Sequence, residues 1–120
     1  LESGLKNVTS VSVLEQPVNE RFCSSHYCLG MMLNKELSDK RHIIMEALGK
    51  KGVGTSIYYP QPVPRMTYYS LKYGYEENQF VNAAAISDRL IALPVGPHLN
   101  YSDMDYIVKS IKEVWSEMNV

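Results

Sequence analysis

Apolar and polar residues alternate in short runs that predict strands, and longer stretches with helical spacing lie between some of these runs. Residues 10–14 alternate between polar and apolar side chains, as a half-buried strand does. Residues 27–33 form a nearly continuous apolar run, which is typical of a central strand buried on both faces. Residues 54–59 are rich in β-branched and aromatic residues, and residues 90–93 are apolar. Each of these two segments stops at a proline and predicts a further strand.

A first helix is predicted from Ser38 onwards, with Ser38 as its N-cap. Lys50 and Lys51 lie near its end, where the helix dipole favours cations, and Gly52 can adopt the positive φ that terminates a helix. The residues expected to face inward are Ile43, Ile44, Ala47 and Leu48.

Two further helices are predicted, one over residues 78–89 and one that ends the chain. Ser102 and Asp105 resemble a capping box, so Ser102 is expected to be the N-cap of the last helix. The residues expected to face inward are Phe80, Ala83, Ala84 and Ile86 in the first of these helices and Met104, Ile107, Val108, Ile111, Val114, Trp115 and Met118 in the second.

The order of these elements predicts the fold class. Strand, strand, helix, strand, proline loop, helix, strand and helix follow one another without a long parallel run. We therefore expect an α+β fold, with a small, mainly antiparallel sheet of three to four strands and helices packed on one face. Prolines alternate through residues 60–64 and predict a stiff extended loop that excludes both a helix and a central strand. The length of 120 residues fits a single domain.

Composition excludes several classes of protein. The chain is 45% hydrophobic and 21% charged, which is unlike a disordered segment. The net charge of -1 provides no bulk attraction to nucleic acid or to anionic lipid, and no apolar run has the length of a membrane span. Neither nucleic acid nor a membrane is expected as a partner. No secretory signal follows Leu1, so we expect a cytoplasmic protein.

Short motifs offer little further chemistry. Cys23, His26 and Cys28 are close in sequence, but a structural zinc site needs four ligands, so we expect buried thiols and no metal site. Residues 49–52, Gly-Lys-Lys-Gly, match the loop with which KH domains clamp nucleic acid, although a helix C-cap explains the same residues. Two glycosylation patterns, at Asn7 and Asn100, have no export signal to support them.

Tyrosine is the most prominent candidate for function. Most of the nine tyrosines lie within a short stretch that also carries three prolines. Tyrosine combines a broad apolar ring with a hydroxyl group, which suits a surface that a partner or polar ligand covers. The alternative is an Ω-like loop packed on its own side chains. The residues concerned are Tyr58, Tyr59, Tyr68, Tyr69, Tyr73 and Tyr75.

Residues 52–62 (Gly-Val-Gly-Thr-Ser-Ile-Tyr-Tyr-Pro-Gln-Pro), the tyrosine stretch, residues 89–94 (Arg-Leu-Ile-Ala-Leu-Pro) and a capped last helix follow one another in this order. Together they resemble the C-terminal small domain of the DegT/DnrJ/EryC1/StrS aminotransferases, over roughly residues 25–118. In that family an arginine-bearing helix leads through a "GIGT" strand entry into a "YYP-x-P" loop. Arg41 matches the arginine of that helix.

The resemblance implies the small domain of a fold-type-I enzyme that uses pyridoxal phosphate to transfer an amino group, commonly from glutamate, to a nucleotide-linked keto sugar. It implies that the Schiff-base lysine and most cofactor contacts lie in a large domain of the same polypeptide, and that the parent enzyme is a homodimer. No catalytic, cofactor-binding or metal-binding residue, and no bound cofactor, is then expected in this chain alone. Residues 1–9 would be the end of an interdomain helix or linker, and residues 10–120 the C-terminal small domain.

The candidate substrate-facing residues are few. Tyr58, Tyr59 and Pro60 match the loop that borders the active-site mouth in the family. Arg65 joins them because a guanidinium group can bind a carboxylate or a phosphate through two hydrogen bonds.

Two alternatives remain. The chain could be a freestanding α+β module that binds a ligand or a protein through its tyrosine- and proline-rich loop. It could also bind RNA through residues 49–52, with an affinity that falls as the salt concentration rises.

Overall fold

Three antiparallel strands form a sheet in the order β1 (Val11–Val13), β2 (Leu29–Leu33) and β3 (Leu90–Leu93). The computed structural model describes residues 1–14, 21–76 and 78–119. The register places Met31 opposite Ile91. The central position predicted for β2 and the strand predicted at β3 are both confirmed.

The described part of the chain also contains five α-helices and two 3-10 turns. The helices are α1 (Glu2–Leu5), α2 (Arg41–Lys50), α3 (Thr67–Tyr73), α4 (Val81–Arg89) and α5 (Tyr101–Met118), and the turns span Lys35–Lys40 and Val63–Arg65.

The core lies between one face of the sheet and the helices α1, α2 and α5. Alternate residues of β2 and β3 point to this face, because side chains alternate along a strand. Burying each large aliphatic side chain stabilises the fold by about 1.5–3 kcal/mol. The α+β prediction, with a small antiparallel sheet and helices on one face, is confirmed. The core includes Leu5, Val8, Met31, Leu33, Leu37, Ile44, Leu48, Val53, Ile91, Leu93, Ile107, Ile111, Val114 and Trp115.

The strand predicted over residues 54–59 is reduced to one bridge. Ser56 pairs with Ala92 on the outer edge of β3, through hydrogen bonds of 3.1 Å and 2.8 Å between their main-chain atoms. Pro60 has no N–H group to extend such a ladder. The sheet therefore has three strands, with a fourth segment attached at a single position.

The first helix begins later than predicted. Ser38 lies inside the 3-10 turn Lys35–Lys40, where its hydroxyl donates to the Lys35 carbonyl at 2.8 Å, so it cannot cap α2. The prediction for the other end is confirmed. Gly52 has a φ of 78°, and the Val53 N–H donates to the Leu48 carbonyl, as in a glycine-terminated helix.

The cap of α5 lies two residues before the one predicted. The side-chain oxygen of Asn100 accepts hydrogen bonds from the N–H groups of Ser102 and Asp103. The Asp103 carboxylate accepts one in return from the Asn100 N–H at 2.8 Å. This is a reciprocal capping box, and it starts at Asn100 because the amide oxygen can reach both free N–H groups of the first turn. The predicted inner face of α5 is confirmed.

The region from residue 67 to residue 89 differs most from prediction. Helix α3 was not predicted. Helix α4 starts at Val81, because Phe80 has a φ of 55° and lies outside the helical region. The inward residues of α4 are Ala84 and Ser87, whereas Phe80, Ala83 and Ile86 are exposed.

Candidate functional site

Tyr58 and Tyr59 leave the sheet just after the Ser56–Ala92 bridge, which holds them near the end of β3. The ring of Tyr58 stacks on the ring of Tyr27, with 6.2 Å between centroids and 28° between planes. The Tyr59 ring lies 5.9 Å from the Tyr58 ring. Aromatic pairs at these separations stabilise a structure by more than the burial of their apolar area alone. Tyr27 therefore positions Tyr58, while Tyr59 remains 67% exposed.

A cleft of about 180 Å³ opens beside Tyr58, and we call it the Tyr58 cleft. Pockets that enclose a small molecule usually measure about 300–1,000 Å³. The Tyr58 cleft is thus smaller than a typical small-molecule pocket. It is lined by Tyr27, Cys28, Gly54, Ser56, Tyr58, Ala92, Leu93, Pro94 and Val95.

Arg65 lies on a different part of the surface. It ends the turn Val63–Arg65, and its Nη1 donates to both carboxylate oxygens of Asp88 in α4, at 2.8 Å and 3.0 Å. The side chains of Arg65 and Asp88 are both partly exposed. Of the four candidate residues, the structure keeps Tyr58, Tyr59 and Pro60 together by chain continuity, whereas it attaches Arg65 to α4.

Arg65 and Asp88 form part of the wall of a second depression, of about 400 Å³, which we call the Arg65 groove. Three cationic side chains and one carboxylate line it, together with small apolar residues of α4. The lining residues are Lys35, Ser38, Arg65, Val81, Ala84, Ala85, Asp88 and Arg89.

The remaining tyrosines of the cluster form a series of touching rings, the aromatic face, made of Tyr68, Tyr69, Tyr73, Tyr75 and Phe80. Neighbouring ring centroids along this series are 5.1, 6.3, 5.6 and 5.3 Å apart. The rings thus pack on one another, as they would in an Ω-like loop packed on its own side chains. Most of them are also exposed, which keeps the recognition interpretation open.

Two partners of the candidate residues are not predictable from the sequence pattern. The apolar run places Tyr27 in the central strand, but β2 starts at Leu29, and His26 has a φ of 50° that turns the chain before it. Asp88 carries no sequence signal that distinguishes it from any other polar residue of α4. Helix α3 was missed as well, although Gly74 at a φ of 66° ends it and was available as a C-cap signal.

A lysine that forms a Schiff base to pyridoxal phosphate is buried in an apolar site, and no lysine among the residues that the structure describes is buried. Such a lysine needs a lowered pKa, which burial in an apolar site provides. Lys51 is half-buried, but hydrogen bonds from its ammonium group to the carboxylates of Glu117 and Glu113 raise its pKa. The other lysines are exposed: Lys6, Lys35, Lys40, Lys50, Lys72, Lys109 and Lys112. The lysines are therefore either exposed or, in the case of Lys51, paired with carboxylates.

Residues 49–52 end α2 and present little free positive charge. Lys50 pairs with Glu46 at 2.8 Å, which lowers the pKa of that carboxyl through a hydrogen bond and the lysine charge. Lys51 pairs with Glu113 and Glu117 of α5 at 3.1 Å and 2.8 Å. Both lysines thus have carboxylate partners, which weakens the interpretation of this segment as an RNA clamp.

The cysteines are not the buried thiols expected from the sequence. Cys23 is exposed and Cys28 is only partly buried, because residues 23–28 are irregular and precede β2. Within residues 1–14, 21–76 and 78–119, no group of three or more His, Cys, Asp or Glu side chains is placed to hold a metal ion. In the same ranges, no helix is both long enough and apolar enough to cross a bilayer.

Known proteins with similar sequences are much longer than this chain. It is 31% identical over 81 residues to the uncharacterized protein MJ1066 of Methanocaldococcus jannaschii, covering 68% of this chain and 21% of that protein. It is 31% identical over 62 residues to the spore coat polysaccharide biosynthesis protein SpsC of Bacillus subtilis, covering 52% of this chain and 16% of that one.

Solved structures show the same fold over nearly the whole chain. The aminotransferase PseC of Helicobacter pylori, involved in the biosynthesis of pseudoaminic acid, matches with a TM-score of 0.81 and 17% identity, over 97% of this chain and 30% of PseC. The putative sugar aminotransferase Spr1654 of Streptococcus pneumoniae, in its PMP form, matches with a TM-score of 0.79 and 24% identity, over 97% of this chain and 28% of that one.

The family model for the DegT/DnrJ/EryC1/StrS aminotransferases matches residues 1–112, which is nearly all of the sequence. The buried Arg41 of α2, the tyrosine loop and the capped last helix lie within this match or begin in it. The chain belongs to the DegT/DnrJ/EryC1/StrS aminotransferase family.

Proposed function

We propose that this chain is the C-terminal small domain of a pyridoxal-phosphate-dependent aminotransferase that acts on a keto sugar linked to a nucleotide. Residues 10–120 form the domain, and residues 1–9 are the end of the helix or linker that enters it. Family membership supports the reaction class. The sugar aminotransferases of similar fold support a sugar substrate.

The size of the Tyr58 cleft is the main observation that supports a role as one domain of a larger enzyme. About 180 Å³ holds only part of a sugar nucleotide, so a second surface must complete the site. The chain spans less than a third of the solved structures that it matches, which leaves room in the parent for that second surface. On this proposal, Tyr58, Tyr59 and Pro60 border the mouth of the active site.

The setting of the lysines supports a cofactor held elsewhere in the parent. Lys51 cannot provide the lowered pKa that a Schiff base needs, because Glu117 and Glu113 raise it, and the other lysines are exposed. We therefore place the cofactor and its lysine in a large domain of the same polypeptide. Within the same proposal the parent is a cytoplasmic homodimer. Its mass in solution tests the pairing, and cell fractionation tests the location.

The tyrosines act at the mouth as a wall and as hydrogen-bond donors. The Tyr58 ring stacks on Tyr27 and lines the cleft, so its hydroxyl group is proposed to meet the substrate there. The exposed ring of Tyr59 can cover a bound sugar nucleotide and exclude water from it. Arg65, held by Asp88, can take part only if the parent brings substrate phosphate or carboxylate to that side of the loop.

Kinetics of the intact parent enzyme test this role. We expect Tyr58→Ala and Tyr59→Ala each to lower kcat/KM for a nucleotide-linked keto sugar by about tenfold or more, since each removes a contact at the site mouth. Arg65→Ala is expected to lower it less. Tyr101→Ala is the matched control, because Tyr101 is 93% exposed at the start of α5. Full activity of both loop variants would show that the loop is scaffolding.

The 120-residue chain provides a second test. Mixed with pyridoxal phosphate, it should not acquire the yellow colour of a stable internal complex, and the Lys51→Ala variant should behave in the same way. A stable coloured complex that needs Lys51 would contradict a cofactor lysine in the large domain.

A further inference from the structure

The Arg65 groove brings together cations from three separate parts of the chain. Lys35 starts the 3-10 turn Lys35–Lys40, Arg65 ends the proline loop, and Arg89 is the last residue of α4. One carboxylate, Asp88, lies among them. Three cations against one carboxylate leave an excess of two positive charges, in a chain whose net charge is -1.

Both arginines of the groove are held in place while retaining free donors. Arg89 uses Nε to donate to the Ala85 carbonyl at 3.3 Å, and Arg65 uses Nη1 to donate to Asp88. A guanidinium group carries five N–H donors, so each arginine keeps several for a ligand. The Lys35 ammonium group has no ion-pair partner among the residues that the structure describes.

Asp88 does not cancel this charge. Its carboxylate accepts two hydrogen bonds from Arg65, which makes that pair neutral overall. The excess positive charge of the groove then comes from Lys35 and Arg89. The side chains of Ala84 and Ala85 are short, so they leave the floor of the groove open.

We propose that the Arg65 groove binds a phosphate group. Partly exposed arginines with free, geometrically fixed N–H groups suit the oxygens of a phosphate, which can accept several charge-assisted hydrogen bonds at once. A volume of about 400 Å³ accommodates one phosphate or a pyrophosphate. The groove and the Tyr58 cleft lie at opposite ends of β3, since Arg89 precedes that strand and Pro94 follows it.

Titration of the 120-residue chain with inorganic phosphate and with pyrophosphate tests this site. Amide and arginine side-chain shifts in NMR spectra report where the anion binds. We expect saturable shifts at Arg65 and Arg89. The double variant Lys35→Ala/Arg89→Ala should weaken phosphate binding about tenfold or more, because it removes both uncompensated charges. Asp88→Asn should strengthen binding, since it removes the carboxylate and releases Arg65.

The matched control is Lys50→Ala/Lys109→Ala, which removes the same charge from exposed positions that pair with carboxylates along their own helices. If this control weakens binding as much as the groove variant, the attraction is unspecific and the proposal is wrong. A second titration uses glutamate at the same ionic strength. Tighter binding of glutamate than of phosphate would contradict the proposal that the ligand is a phosphate. Absence of saturable phosphate shifts in a chain with a dispersed, folded spectrum would also overturn it.

Discussion

The guanidinium group of Arg41, at the first position of α2, donates a hydrogen bond to the main-chain carbonyl of Ser87 in α4. The same Nη1 atom lies 3.5 Å from the carbonyl oxygen of Leu90. The side chain is only 8% exposed, so the charge is compensated by these carbonyl groups and not by water. Arg41 thereby ties α2 to the junction at which α4 becomes β3.

Replacement of Arg41 by methionine should therefore destabilise the domain. Methionine retains much of the packing volume but leaves the carbonyl of Ser87 without its donor. We expect the free energy of unfolding to fall by about 2 kcal/mol, with the urea m-value unchanged. The neighbouring exposed cation provides the control, and Lys40→Ala should stay within about 0.5 kcal/mol of the wild type. Equal stability of Arg41→Met and Lys40→Ala would contradict the structural role of Arg41.

The N-terminus of α5 allows a direct comparison between the residue expected from sequence and the residue that caps the helix. Asn100→Ala removes the acceptor for two N–H groups and should cost about 1 kcal/mol. Ser102→Ala removes only a hydroxyl that donates to Asn100 at 2.6 Å, so it should cost clearly less. Urea unfolding measures both. A larger loss of unfolding free energy for Ser102→Ala than for Asn100→Ala would indicate that Ser102 is the N-cap.

Two glycines should respond to alanine in opposite directions. A Cβ atom at Gly30 in β2 would lie 2.7 Å from Leu90 Cδ1 and 3.3 Å from Leu14 Cδ1. Because Leu90 is buried, Gly30→Ala should destabilise the domain by about 1–3 kcal/mol. A Cβ atom at Gly49 in α2 has no neighbour within 4 Å, so Gly49→Ala should stabilise it by up to about 1 kcal/mol. Thermal unfolding of the two variants gives the sign of each effect.

The ion pairs of Lys51 predict a specific pH dependence. Hydrogen bonds to Glu117 and then Glu113 raise the pKa of Lys51 above its usual value of 10.5. A raised pKa contributes stability that is complete below the unfolded-state pKa and is lost as the pH rises through the folded-state pKa. The stability difference between wild type and Lys51→Met should thus be constant near neutral pH and shrink above pH 10.5.

Lys112→Met is the control for this pH dependence, since Lys112 is an exposed lysine on α5 without an ion pair among the described residues. Over the same alkaline range, the decline for Lys51→Met should exceed any decline for Lys112→Met. A parallel decline in both variants would assign the effect to general charge repulsion.

The proline loop shows why side-chain chemistry alone did not locate Arg65. The residue type of Arg65 indicates that it can bind an anion, and the prolines predict the loop in which it lies. The position of Arg65 depends on the turn Val63–Arg65, which folds the loop back onto α4. The guanidinium group therefore pairs with Asp88 of the same chain. No local pattern specifies such a return.

The sequence by itself determined the elements that bury apolar residues at a regular spacing: β2, β3 and α5, together with the glycine that ends α2. Burial of a periodic apolar face is a local property, since the spacing of the side chains follows from the backbone geometry alone. Only the tertiary structure decided that Tyr27 stacks on Tyr58, that Arg65 meets Asp88 and that Arg41 reaches Ser87. These pairs lie far apart in sequence, and their contact depends on the path of irregular segments and the docking of whole elements.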